Sequence, residues 1–340
     1  MNWNNFNKEI FNLTYEDMLM IEKRIIEQYK ISSVNQTTII NNIYNKLNNI
    51  DPNDYYTHLI ETNKLDKLIK DVIDEHTLLL NNTNKVLQDG LKDSMNKTYY
   101  RQQYATNWLL PNAKIRKIPP ELINLSVTGN HSSFKNIPSI TVKRFGELSN
   151  YRAKNAGLIQ ILNKNKQEDY VKLIDVIETS LLKGKSNRQT NQALKMVIGN
   201  IKDDKAQGSL ANLMRVSRTE TNRIMNEATF ANSMQLKEQG FKIQKMWLAG
   251  LSIDTRPDHG ELDGQVVDVD KPFKTSVGDV MFPGDSGVPG FDINCRCTTI
   301  DIVEDIMPTT RVGYNPVTNQ REQFSFKTYD KWLEDNKISN

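Results

Sequence analysis

The chain has 340 residues, 44 of them basic and 41 acidic, 38 % hydrophobic residues and a formal net charge of +3. That length suffices for two modest domains or one core with appendages, and the spread of Leu, Ile, Val and aromatic residues excludes wholesale disorder. The absence of an apolar run of about 18 residues excludes a membrane-spanning helix. Two cysteines, Cys295 and Cys297, sit too close in sequence for an unstrained bridge, which excludes a disulfide scaffold and points to a reducing compartment. The stretch from Met1 to Asn5 has neither the basic nor the apolar region of a secretory leader, so none is expected.

Residues 1–110 read as a helical N-terminal region. Thr14 and Asp17 fit a helix start, followed by Leu19, Ile25, Ile26 and Tyr29 at helical spacing. Ile39, Ile40, Ile43, Tyr44 and Leu47 repeat the pattern, and Asp51 and Pro52 break it. A third run carries Leu65, Leu68, Ile69, Val72, Ile73, His76, Leu79, Leu80 and Leu87 on one face, which predicts a hairpin or bundle with His76 as a core or boundary residue. Pro111, Pro119 and Pro120 predict an irregular linker over 111–145, with His131 in a loop.

Helical patterns resume with Leu158, Ile159 and Leu162, then Val171 to Leu182. Gly184, Lys185 and Ser186 do not make a phosphate-binding loop, because Thr179 stands where that motif needs its first glycine. The spacing instead has Gly184 ending one helix and Ser186 capping the next. A long helix is expected over about 208–239, and after Gly240 the period shortens to that of strands, as in Met246-Trp247-Leu248. The fold class is therefore α+β: a helical N-terminal bundle or hairpin, then a compact C-terminal α+β module over 146–305, helical to about 239, and a tail over 306–340 with one short helix.

Charge is uneven. Residues 135–245 hold 20 basic and 10 acidic side chains, whereas 251–307 hold 4 and 12. The basic candidates for contact with a phosphate backbone are Lys143, Arg144, Arg152, Lys154, Lys164, Lys166, Lys183, Lys185 and Arg188. No motif suggests readout of base sequence. Solvated faces explain the same pattern.

The unusual residues concentrate between Arg215 and Cys297. His259, Cys295 and Cys297 are candidate ligands for Zn2+, with Asp254, Asp258, Asp263 or water as a fourth and Asp263 the carboxylate singled out. The same residues can be read as two reduced cysteines on a short strand with His259 bonded to a turn carboxylate. His259 with neighbouring aspartates also permits a metal-dependent nuclease or a transferase. A braced network of Arg, Asp and Glu is the remaining reading.

Arg218 and Glu220 on a helix, Trp247, Asp254-Thr-Arg256, Asp263-Gly264, Pro283-Gly284-Asp285 and Asn294-Cys295-Arg296-Cys297 follow in an order that resembles the phage head-morphogenesis family, the Mu F-like minor head proteins of tailed bacteriophages. The tail phrase Thr328 to Leu333 resembles the same family, so the likeness covers about 208–335. It implies a noncatalytic minor capsid protein, made in the host cytoplasm and sited inside the head near the portal. The implied partners are the portal protein, capsid or scaffold proteins and double-stranded DNA, with delivery on ejection and no membrane anchor. Many family members carry a Cys-x-x-Cys where this chain has Arg256 to His259, and a His where it has Asp292 to Asn294.

Overall fold

The computed structural model describes residues 3–114, 116–118, 120–128, 158–202, 205–318 and 320–338. Helices α1 (Trp3–Lys46), α2 (Tyr55–Glu61), α3 (Leu65–Leu109) and α4 (Pro120–Thr128) come first, with one 3-10 turn at Pro52–Asp54. The two early apolar runs belong to one helix of 44 residues that begins well before Thr14, and the third run extends to a helix of 45 residues. Asp51 ends the first arm by accepting from the Asn53 amide at 2.9 Å, with Pro52 opening the 3-10 turn. The linker expected over 111–145 is not wholly irregular, because α4 lies in it; His131 falls outside the described residues.

The chain resumes with α5 (Leu158–Leu182), α6 (Asn187–Ile198), the two-residue strands β1 (Ile201–Lys202) and β2 (Lys205–Ala206), and α7 (Gly208–Glu238). Gly184 adopts φ 56° after α5, and Ser186 makes a full capping box with Gln189 at the start of α6, as the spacing predicted.

The C-terminal region holds β3 (Ile243–Leu248), α8 (Pro257–Gly260), β4 (Val266–Asp268), β5 (Phe273–Thr275), β6 (Gly278–Val280), α9 (Pro289–Asp292), β7 (Thr298–Val303), β8 (Thr310–Tyr314), β9 (Arg321–Ser325) and α10 (Tyr329–Asp335). β3 is the centre of a three-stranded antiparallel sheet in the order β4-β3-β7, with Lys245 opposite Asp301 and Trp247 opposite Thr299. β5-β6 and β8-β9 are separate antiparallel hairpins. The tail thus carries a hairpin besides its helix. The architecture is the expected α+β.

The chain forms two compact units, and neither follows its linear order. One comprises Met1–Leu19, Gly90–Gly157 and Arg218–Asn340; the other comprises Met20–Asp89 and Leu158–Ser217. In the second unit, Tyr44 donates to the Lys185 carbonyl at 2.8 Å and meets the Thr190 hydroxyl at 2.7 Å. His76 is fully buried on α3, its Nε2 3.2 Å from the Asp169 carboxylate on α5, which makes it a core residue with a polar partner. In the first unit, Asp17 is buried and accepts from Arg101 at 2.6 Å. No helix among the described residues is long and apolar enough to cross a membrane.

Candidate functional site

The site is built on β3 and the two loops that pack over Trp247. Trp247 is fully buried, its ring edge-on to Phe273 at 5.2 Å and to His259 at 6.4 Å. Leu262, Val280, Phe291, Cys295 and Cys297 complete this apolar cluster.

His259 enters from α8. Pro257 sets the first helical position, and the His259 amide donates to the Arg256 carbonyl at 3.0 Å. Its ring lies 4.3 Å from the Phe291 ring and is 2 % exposed. Nδ1 is 3.2 Å from Cys297 Sγ and 3.6 Å from Cys295 Sγ, whereas the buried Nε2 has no hydrogen-bond partner among the described residues. The three donor atoms lie within 4.8 Å of one another, and both thiols are free and buried. The hydrogen bond with Cys297 and burial hold the Cys295 thiol well above the usual cysteine range.

The two loops are clamped together by Arg256. Its guanidinium donates to the carbonyls of Phe291 (3.2 Å) and Ile293 (2.5 Å). Cys297 is fixed from α7, where Asn222 and Asn226 both donate to its carbonyl at 3.2 and 3.1 Å. Asn294 takes φ 57°, and its amide donates to the Thr219 hydroxyl at 3.1 Å. No sequence signal singled out Asn222 or Asn226, because their role is set by a backbone carbonyl about 70 residues away.

Asp263 is not in the histidine–cysteine group. Its carboxylate pairs with Arg311 at 2.8 and 3.0 Å and accepts the amides of Ala249 and Tyr329, each at 2.7 Å. Asp254 is exposed at a turn, and Asp258 accepts from Ser276 at 3.3 Å. The aspartates weighed as catalytic or metal-ligating therefore point elsewhere, and His259 is enclosed by aromatic rings.

The rest of the motif braces α7. Arg223 donates to Glu220 at 2.9 and 3.0 Å, to Glu227 at 2.5 Å and to the Ser126 carbonyl at 2.5 Å, all of it buried. Gly284 takes φ 90° with the space of a Cβ filled by Arg223, 3.0 Å away, so a side chain there would be strained and crowded. Pro283 and Asp285 are buried beside it, and the Asp285 amide donates to the Phe282 carbonyl at 3.1 Å. Gly264 takes φ 82° and donates to the Trp247 carbonyl at 2.9 Å. Arg218 is exposed on α7, and Arg296 lies 5.7 Å from the Tyr314 ring.

Of the basic candidates, Lys143, Arg144, Arg152 and Lys154 lie outside the described residues. Lys164 and Lys166 sit near the start of α5, whereas Lys183, Lys185 and Arg188 sit beyond its end. About 28 Å of helix axis separates the two groups, and Glu168, Asp169, Asp175 and Glu178 lie between them.

The module is walled by aromatic rings and braced by buried ion pairs. Residues 171–300 match the family described as Phage Mu protein F like protein, so that stretch of the chain is Mu F-like. The match starts within α5 and ends within β7, earlier at both ends than the motifs suggest, and leaves the Thr328–Leu333 phrase outside it.

Among curated proteins, the chain is 35 % identical over 104 residues to minor head protein GP7 of Bacillus phage SPP1, covering 30 % of this chain and 33 % of that protein. It is 35 % identical over 159 residues to NAD(+)–arginine ADP-ribosyltransferase EFV of Enterococcus faecalis, covering 47 % of this chain and 30 % of that protein. It is also 25 % identical over 201 residues to an uncharacterized protein of Haemophilus influenzae, covering 59 % and 38 %. The chain thus spans about a third of the length of the curated relatives it matches. No solved structure matches it.

Proposed function

We propose that this chain is a noncatalytic minor head protein of a tailed bacteriophage, carried in the virion and associated with the portal during head assembly. The observation that carries the reading is the Mu F-like region at residues 171–300, whose buried Glu220, Arg223 and Asp263 side chains serve as internal braces. Arg223 and Arg311 are both buried and both donate to carboxylates and carbonyls inside the fold. The likeness to the phage SPP1 minor head protein supports the same role.

The transferase reading rests on His259 with its neighbouring aspartates and on the name of the enterococcal relative. This chain covers 30 % of the enterococcal protein, His259 is 2 % exposed, and Asp263 is paired with Arg311 rather than with His259.

DNA contact within the head would run through Lys183, Lys185 and Arg188, with Lys164 and Lys166 as a separate group. Replacing Lys183, Lys185 and Arg188 by Ala should lower the log–log salt slope of duplex binding by about 2–3. An unchanged slope removes those residues from the interface.

The assembly role is tested by the protein composition of heads purified from cells producing the encoding phage. The chain should be found in particles in low copy number and be missing from particles of a phage that lacks its gene. Particles of normal composition and infectivity without it would overturn the role.

A further inference from the structure

We infer that His259, Cys295 and Cys297 hold one zinc ion, through the histidine Nδ1 and the two Sγ atoms. The inference stands on these three side chains alone and does not depend on the assembly role.

Geometry is the first argument. Zinc binds sulfur at about 2.3 Å and imidazole nitrogen at about 2.0 Å, so a tetrahedral site sets its nitrogen and sulfur about 3.6 Å apart. The two nitrogen–sulfur separations here are 3.2 and 3.6 Å. Nδ1 has one hydrogen or one lone pair to offer, yet both sulfurs face it. A single cation placed among the three atoms satisfies all of them.

Support around the donors is the second argument. Metal sites orient their ligands through outer partners. Arg256 ties the loop carrying His259 to the segment leading to the cysteines. Asn222 and Asn226 pin Cys297, the Cys295 amide donates to the Asp292 carbonyl at 3.1 Å, and the Cys297 amide points at Cys295 Sγ at 3.4 Å. An N–H aimed at a sulfur favours the thiolate that a metal requires.

Charge is the third. Binding displaces one proton from each thiol, so a divalent ion with two thiolates and a neutral imidazole has no net charge. Trp247, Phe273, Phe291, Leu262 and Val280 can surround such a neutral group at little electrostatic cost. A carboxylate ligand would leave a net negative charge there, in keeping with Asp263 being engaged by Arg311 instead. Soft thiolates with imidazole favour zinc over magnesium or calcium. No further His, Cys, Asp or Glu among the described residues joins the three, which leaves the fourth position to an exogenous ligand such as water.

The test uses the untagged full chain, purified under reducing conditions without chelator. Elemental analysis should give about one zinc per chain. After the metal is stripped, added Co2+ should produce intense sulfur-to-cobalt charge transfer and the visible bands of a tetrahedral site. Cys297→Ser should lower bound zinc at least tenfold, whereas Asp254→Asn, at an exposed turn, should leave the zinc content unchanged. If Cys297→Ser proves insoluble, the cobalt spectrum of the unaltered chain decides. A chain that holds no zinc and gives only the spectrum of aqueous cobalt overturns the inference. Zinc in a chain that never enters heads would support the site and defeat the assembly role.

Discussion

Lys245 projects from the central strand β3 into the core, where its ammonium donates to the Met281 carbonyl at 2.7 Å and lies 4.7 and 5.0 Å from the rings of Phe230 and Phe273. Burial pushes its pKa down from 10.5 to about 7, against the opposing pull of Asp285, Asp301 and Asp270. Burial likewise raises Asp301, its partner on β7, from 3.8 to about 6, although the Ser233 hydroxyl, 2.6 and 2.7 Å from its two oxygens, works the other way. The linkage signs follow from proton counts. Between pH 7 and 10.5 the unfolded chain holds the proton that folded Lys245 has lost, so stability rises with pH across that window. Between pH 3.8 and 6 the folded chain holds the proton that unfolded Asp301 has lost, so stability falls with rising pH there. Lys245→Met should remove the alkaline rise and Asp301→Asn the acid fall, each up to about 1.4 kcal/mol per pH unit. Urea unfolding of the unaltered chain and each variant across pH measures the difference, and parallel profiles would contradict it.

The C-terminal elements are locked by one carboxylate. Asp263 joins Arg311 on β8, the first amide of α10 and the chain beyond β3, while Leu251, Tyr329, Trp332 and Leu333 form the apolar contact beside it. Asp263→Asn leaves a buried guanidinium without its counter-charge and should cost about 3–5 kcal/mol of stability. Lys274→Ala, which breaks an exposed pair with Asp279, should cost less than about 1 kcal/mol. Equal losses in denaturant midpoints would refute the ranking. These elements also show what the sequence makes legible. α5 and α6 were readable because the apolar period, Gly184 and the Ser186–Gln189 cap agree. The β8–β9 hairpin was not, because Arg321–Ser325 exposes most of its residues and shows no apolar alternation. Asp263 invited a metal reading because its partner Arg311 lies 48 residues downstream, beyond any local spacing.

At the scale of the molecule, the compact units are assembled from segments far apart in sequence. Helices α1, α3 and α7 each contribute to both compact units, and positions 110 and 145 both fall inside the Gly90–Gly157 segment of the first unit. Helical periodicity reports which face of a segment is apolar, not which segment that face meets. The Mu F-like stretch accordingly draws on both units, with residues 171–217 in one and 218–300 in the other. Its order of motifs was legible because Gly264, Gly284 and the Cys295–Cys297 pair mark special backbone or buried chemistry. The proposed assembly with the portal is tested most directly by co-expressing the full chain with the portal protein of the same phage and resolving the mixture by size-exclusion chromatography with mass analysis of each peak. A complex eluting ahead of both components, with the chain substoichiometric to the portal ring, is the predicted result. Separate elution of the two proteins at low and physiological salt would contradict it.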